Sequence, residues 1–123
     1  DIRLLIVGSG QDEGKLKQMT RKKELERIIT FTGRVDNSKV LELMNKSNIF
    51  LLPSVNEGFG ITYIEAMSTG TIAIGTKGEG IDGFIKNGKN GFLVNPNVEE
   101  IVDLIDNIYS NNRKKLKGQL YEL

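Results

Sequence analysis

The sequence has neither cysteine nor histidine. Without cysteine there is no disulfide framework, no thiolate zinc site and no cysteine nucleophile. Without histidine the commonest general base and the commonest metal ligand are both gone. Charge of one sign is lacking as well. Seventeen Lys and Arg residues face sixteen Asp and Glu, a net charge of +1, so no field steers the chain toward nucleic acid or an anionic membrane. No apolar run approaches the roughly 20 residues of a membrane span, and no charged-then-apolar leader opens the chain. At 123 residues, 38% hydrophobic and 27% charged, the expectation is one soluble, intracellular globular domain with a core of marginal size.

What is present alternates. Apolar runs of strand length, rich in β-branched or aromatic residues, occupy residues 2–8, 28–32, 49–53, 72–76 and 91–94. They are nearly continuous, as expected of buried strands in a sheet covered on both faces. Amphipathic segments separate them at residues 12–25, 38–47, 60–69, 81–86 and 98–112. In the last of these, Ile101, Leu104, Ile105 and Ile108 follow helical spacing. Asp12, Asp36 or Asn37, and Asn97 are candidate N-caps, and Gly70 a candidate stop. This pattern predicts an α/β fold: a doubly wound, Rossmann-like parallel sheet of about five strands with helices on both faces. The abrupt opening on Arg3-Leu4-Leu5-Ile6-Val7-Gly8 and the solvated Asn111-Asn112-Arg113-Lys114-Lys115 predict an excised domain rather than a whole protein.

Most of the fourteen glycines follow strands, where ligands bind in open parallel sheets. The richest loop runs from Pro53 through Glu57-Gly58-Phe59-Gly60 into a helix carrying Ile61, Thr62 and Glu65. Unpaired N–H groups from Phe59 to Thr62 would make a seat for phosphate. Glu65, one turn further, leans back toward that seat. Carboxylates flanking an anion site bind the anion poorly but accept hydrogen bonds from sugar hydroxyls. Ribose, diphosphate and sugar in a nucleotide sugar have that layout.

The run Glu57-Gly58-Phe59-Gly60, followed by Glu65-Ala66-Met67 and Gly70, resembles the signature of the group 1 (family 4) retaining glycosyltransferases of GT-B fold. Supporting motifs are Ile6-Val7-Gly8-Ser9-Gly10, Phe31-Thr32-Gly33-Arg34-Val35, Leu52-Pro53-Ser54 and Asn87-Gly88-Lys89-Asn90-Gly91-Phe92-Leu93-Val94. The resemblance implies that residues 1–123 form the C-terminal, donor-binding half of a GT-B fold, without its usual first strand and without the acceptor domain. It implies transfer from a nucleotide-diphosphate sugar to a glycan or lipid acceptor with retention and without metal or other cofactor. The isolated domain would be inactive, and its setting cytoplasmic or membrane-peripheral, in polysaccharide or glycolipid synthesis.

Roles follow by position in the motif. Glu57, the candidate catalytic residue, would hold the donor sugar with Gly58 and the backbone of Phe59 and Gly60. The amides of Ile61 and Thr62 would contact the diphosphate and Glu65 the ribose. Arg34 and Val35 would flank the base, and Ser9 and Gly10 complete the donor-binding set. Two departures stand out. The family's earlier strand, whose loop carries an arginine and a lysine for the diphosphate, precedes this sequence. Glycine stands at Gly83 where the family often has a glutamate, leaving Asp82 as a substitute. Closing the gap left by that strand predicts the order 2-1-3-4-5.

Each residue also has a plainer reading. Glu57 and Glu65 would be solvated carboxylates favoured by a helix dipole. Arg34, Lys77 and Lys86 would be surface charges, residues 87–91 a tight turn, and Phe59, Tyr63 and Met67 packing residues. The rival functions are a nucleotide-binding module without activity, a GT-B epimerase, and a nicotinamide-binding domain using Gly8-x-Gly10-x-x-x-Gly14. Against the last, the second strand ends in Gly33-Arg34 rather than in an acid.

Overall fold

The computed structural model describes residues 2–55 and 60–111. The chain forms two compact units, Asp1–Val40 and Leu41–Leu123. In the first, β1 (Leu4–Val7) and β2 (Ile29–Gly33) pair in parallel through the crossover helix α1 (Glu13–Lys22). Leu4 lies opposite Ile29, and a register shift after Ile6 sets Val7 against Gly33.

The buried strand predicted at residues 2–8 is not buried. Leu4, Leu5 and Val7 are 42–43% exposed, and among the described strands β1 pairs with β2 alone. The order 2-1-3-4-5 is likewise not formed: the described strands make a two-stranded and a separate three-stranded sheet. A continuous apolar run signals a strand without naming its neighbour, so the pattern could not specify that pairing.

Asp12 does not cap α1. Its backbone is already right-handed (φ −89°, ψ 0°) and its side chain makes no capping bond, whereas a capping side chain needs an extended backbone to fold back. Asp36 does cap α2 (Asn37–Lys46), accepting from Lys39 N at 2.9 Å and Ser38 Oγ at 2.7 Å. Those bonds, the serine's first, hold its carboxyl below the ordinary range.

The second unit is a parallel sheet in the order β3 (Ile49–Leu51), β4 (Ile72–Thr76), β5 (Phe92–Val94). Here the predicted two-sided burial is realised. All five residues of β4 are buried, and they alternate between two clusters. Ala73 packs with Tyr63 and Met67 of α3 (Ile61–Ser68), together with Ile81 and Ile85. Ile72 and Ile74 pack with Val94 and with Ile101, Leu104, Ile105 and Ile108 of α4 (Val98–Ser110). Helices thus cover both faces of this sheet. Gly70 ends α3 as predicted: its N–H bonds Met67 O at 3.0 Å while Thr71 N–H reaches Ala66 O at 3.2 Å.

Residues 81–86 are not a helix. Gly83 has φ +97°, a left-handed conformation that interrupts the right-handed path. Only one helical turn survives, from Ile85 N to Ile81 O at 3.0 Å. Residues 87–91 form the expected tight turn, with Gly88 N–H donating to Gly91 O at 2.9 Å. The buried Asn90 side chain accepts from Lys86 N and donates to Phe84 O.

Asn97 caps α4 by accepting from Glu100 N at 2.9 Å. The Glu100 carboxylate in turn accepts from Asn95 N and Nδ2, both at 3.0 Å, and pairs with Lys77 Nζ at 3.2 Å. The Asn95 backbone bond foremost, then the Asn95 amide and Lys77, lower its pKa from 4.5 to about 2. A depressed carboxyl stabilises the fold above its unfolded pKa, and that contribution disappears as pH falls through the folded value. Glu100→Gln should therefore flatten the loss of thermal stability between pH 4.5 and about 2. Identical acid profiles for the two chains would show that the carboxylate contributes nothing.

No helix among the described residues is long and apolar enough to cross a membrane.

Candidate functional site

The carboxyl ends of the strands carry the candidate residues in each unit. In the first, Ser9 and Gly10 follow β1, and Arg34 and Val35 follow β2. Gly8 N–H donates to Gly33 O at 2.9 Å, which ties these two loops together. Ser9, Gly10 and Arg34 are exposed and Val35 half-buried, so their polar groups face solvent.

In the second unit, β3 leads through Leu52, Pro53, Ser54 and Val55 toward α3. Glu57, Gly58 and Phe59 lie outside the described residues. Gly60 is the residue from which α3 starts, with φ +76° and ψ +56°. It has no side chain with which to cap the helix, and none caps it. The N–H groups of Ile61 and Thr62, in the first turn, find no acceptor among the described residues. Orphan donors at a helix start carry the positive end of its dipole, which favours an anion.

Ile61, Thr62 and Glu65 share the exposed face of α3, while Tyr63, Ala66 and Met67 form its buried face. Ile61 is 68% exposed. Glu65 is exposed and makes no side-chain hydrogen bond or ion pair among the described residues. Its carboxylate is thus available to accept hydrogen bonds from hydroxyls, one turn beyond the orphan donors.

The loop after β4 is organised differently from the family pattern. Asp82 Oδ2 accepts from Gly78 N at 2.6 Å, which closes the turn between them. Its carboxylate is engaged in holding the loop, a poor posture for the ligand role of the missing glutamate. Lys77 is the expected surface charge, exposed and paired there with Glu100. Among the described residues no group of three acidic, His or Cys side chains is placed to hold a metal ion. The open trough of about 600 Å³ between β5 and α4, lined in part by Asn87, Phe92, Leu104 and Asn107, contains none of the candidate residues.

Residues 1–122 match the family model of the group 1 glycosyl transferases. The chain belongs to that family. Over 93 residues this group 1 chain is 38% identical to N-acetyl-alpha-D-glucosaminyl L-malate synthase of Bacillus anthracis, covering 76% of its own length and 24% of the relative's. It is 32% identical over 103 residues to alpha-monoglucosyldiacylglycerol synthase of Acholeplasma laidlawii, covering 84% and 26%. The chain therefore spans about a quarter of the length of these two curated relatives.

Solved structures share the fold. Anabaena HepE, crystallised with UDP and glucose, superposes with a TM-score of 0.84 at 22% identity, over 96% of this chain and 33% of that one. The C-terminal domain of a group 1 family glycosyl transferase (LpcC) from Francisella tularensis gives 0.77 at 27% identity, over 91% and 59%. The Rossmann-like reading of the sequence is thereby met in a GT-B half.

One residue beside this site carried no functional signal in the sequence: Tyr63 follows the helical period of a packing residue.

Proposed function

We propose that this chain is the donor-binding domain of a retaining, nucleotide-sugar-dependent glycosyltransferase whose acceptor domain belongs to a longer polypeptide. The start of α3 carries the reading: a left-handed Gly60, the N–H groups of Ile61 and Thr62 without an acceptor among the described residues, and the exposed Glu65 on the same helix face. A diphosphate fits the donors, and a ribose fits the carboxylate. Glu57, Gly58 and Phe59 complete the donor-sugar end by family resemblance, with Glu57 as the catalytic carboxylate. Arg34, Val35, Ser9 and Gly10 serve the nucleoside.

In this reading the helix terminus stabilises negative charge as it develops on the leaving diphosphate, and no metal takes part. Retention, and acceptor deprotonation by the donor's own phosphate, rest on the family resemblance. The acceptor is a glycan or a lipid, and catalysis takes place at the cytoplasmic side. The Francisella tularensis likeness supports a C-terminal placement, because that structure is itself a C-terminal domain.

Thermal-shift titration with UDP, GDP, ADP and NAD tests the donor site. One nucleoside diphosphate is expected to raise the melting temperature through preferential binding to the folded chain. Stabilisation by NAD alone would overturn the reading in favour of a nicotinamide site.

Glu65→Ala adds a sharper prediction. Losing hydrogen bonds to a charged acceptor should weaken nucleotide affinity by about 10- to 100-fold. Since Glu65 is exposed, the ligand-free melting temperature should hardly move. An equal loss of stability without ligand would count against a ribose contact.

A further inference from the structure

Tyr63 is 1% exposed and sits in the first turn of α3. Its ring meets Phe50 of β3 edge-on, centroids 5.5 Å apart and planes at 77°. Its hydroxyl donates to the carbonyl of Leu52, the residue just past β3. Its own N–H donates to Gly60 O at 3.0 Å.

Two glycines make room for the ring. A Cβ on Gly60 would lie 2.5 Å from Cδ2 and 2.9 Å from Cε2, and one on Gly75 of β4 would lie 3.4 Å from Cε1. One side chain therefore touches the residue that opens α3, the exit of β3 and the carboxyl half of β4. Packing alone would be served by phenylalanine. A buried phenol must find a partner, and this one finds the last carbonyl before Pro53, at the mouth of the candidate site. Leu52 N–H is held by Ile74 O at 3.4 Å, so Leu52 itself is fixed to the sheet.

We infer that Tyr63 is a positioning residue for the diphosphate: its hydroxyl, bonded to Leu52, fixes the Ile61 and Thr62 N–H groups relative to the sheet. The inference rests on the donor-site reading above. Preorganised donors act on charge only when they are held where it develops, and small displacements of positioning groups carry large penalties. The tether sets that geometry without touching the ligand.

The test is Tyr63→Phe in the full chain, read by amide hydrogen exchange and by titration with UDP, GDP and ADP against uridine, guanosine and adenosine. Removing one hydrogen bond should accelerate exchange at positions 63 to 65 by about tenfold. For whichever diphosphate binds, affinity should fall by about tenfold, while affinity for the matching nucleoside stays the same. Phe50→Leu disturbs the same core but spares the hydroxyl, so it should leave the diphosphate-to-nucleoside ratio unchanged. A ratio that moves equally in both variants would reduce Tyr63 to a packing residue and overturn the inference. Unchanged exchange at positions 63 to 65 would overturn the tether itself. A wild-type chain that binds none of the three diphosphates would instead refute the donor-site reading, with the exchange measurement still deciding the tether.

Discussion

Gly60→Ala is expected to destabilise the chain by about 2–5 kcal/mol and to abolish nucleotide binding. Two penalties combine. Alanine in the left-handed region costs about 1–2 kcal/mol, and Gly60 has φ +76°. Overpacking adds typically about 1–3 kcal/mol, because the new Cβ would stand 2.5 Å from a ring carbon of Tyr63. That ring is boxed in by Phe50 and by β4, so it has little room to yield. Urea unfolding gives the stability change, and titration with nucleoside diphosphates gives the binding. Gly60→Asn separates the causes. Asparagine tolerates the left-handed region but carries the same Cβ, so it should remain severely destabilised. Recovery with asparagine would show that backbone conformation alone demands glycine there.

The second large effect is at the centre of the three-stranded sheet. Ile74→Ala should cost about 2–5 kcal/mol, the usual range for emptying a closed core position. Ile74 is fully buried between Ile72, Val94 and Ile108, and both neighbouring strands hold its backbone. Leu5→Ala on β1 should cost less than about 1 kcal/mol, because Leu5 is already 42% exposed and loses little further apolar burial. Denaturant midpoints of the two variants check the contrast. Equal losses would mean that Leu5 is better covered in solution than its exposure indicates.

The parts of the fold legible in the sequence were those fixed by local chemistry. The alternation of apolar runs and helical periods placed all five strands and four of the five predicted helices. Asn97, Asp36 and Gly70 were readable because a cap or stop depends on one residue and its nearest neighbours. What failed depended on context. Asp12 has capping chemistry but the wrong backbone. Ile81 and Ile85 have helical spacing, yet they pack as two buried points of a turn that Gly83 interrupts. The exposure of β1 and its pairing with β2 alone among the described strands could not be read from a run of Leu, Ile and Val.

The candidate site divides in the same way. The Gly60 to Glu65 stretch is contiguous, so its spacing and its helix were visible together. Glu57, Gly58 and Phe59 were named by motif and lie outside the described residues. Asp82 was named as a substitute ligand, and its bond to Gly78 N, made across a turn, could not be read from the sequence. The hydroxyl of Tyr63 was invisible, because helical period reveals that a side chain points inward without revealing what its tip touches.

The two faces of β4 differ in grain. Toward α3 it presents Ala73 and Gly75, small residues against Tyr63, Ile81 and Ile85; toward α4 it presents Ile72 and Ile74. A methyl group added at Gly75 would meet Ile81 Cγ2 at 2.7 Å and touch the Tyr63 ring at 3.4 Å, in the cluster that also supports the opening of α3. The large side chains of the α4 face pack in a separate cluster that does not include Tyr63. The chain thus has a side on which drift in sequence is felt as altered chemistry and a side on which it is felt only as altered robustness. Efforts to harden this domain without retuning its ligand have a natural place to begin, on the α4 side.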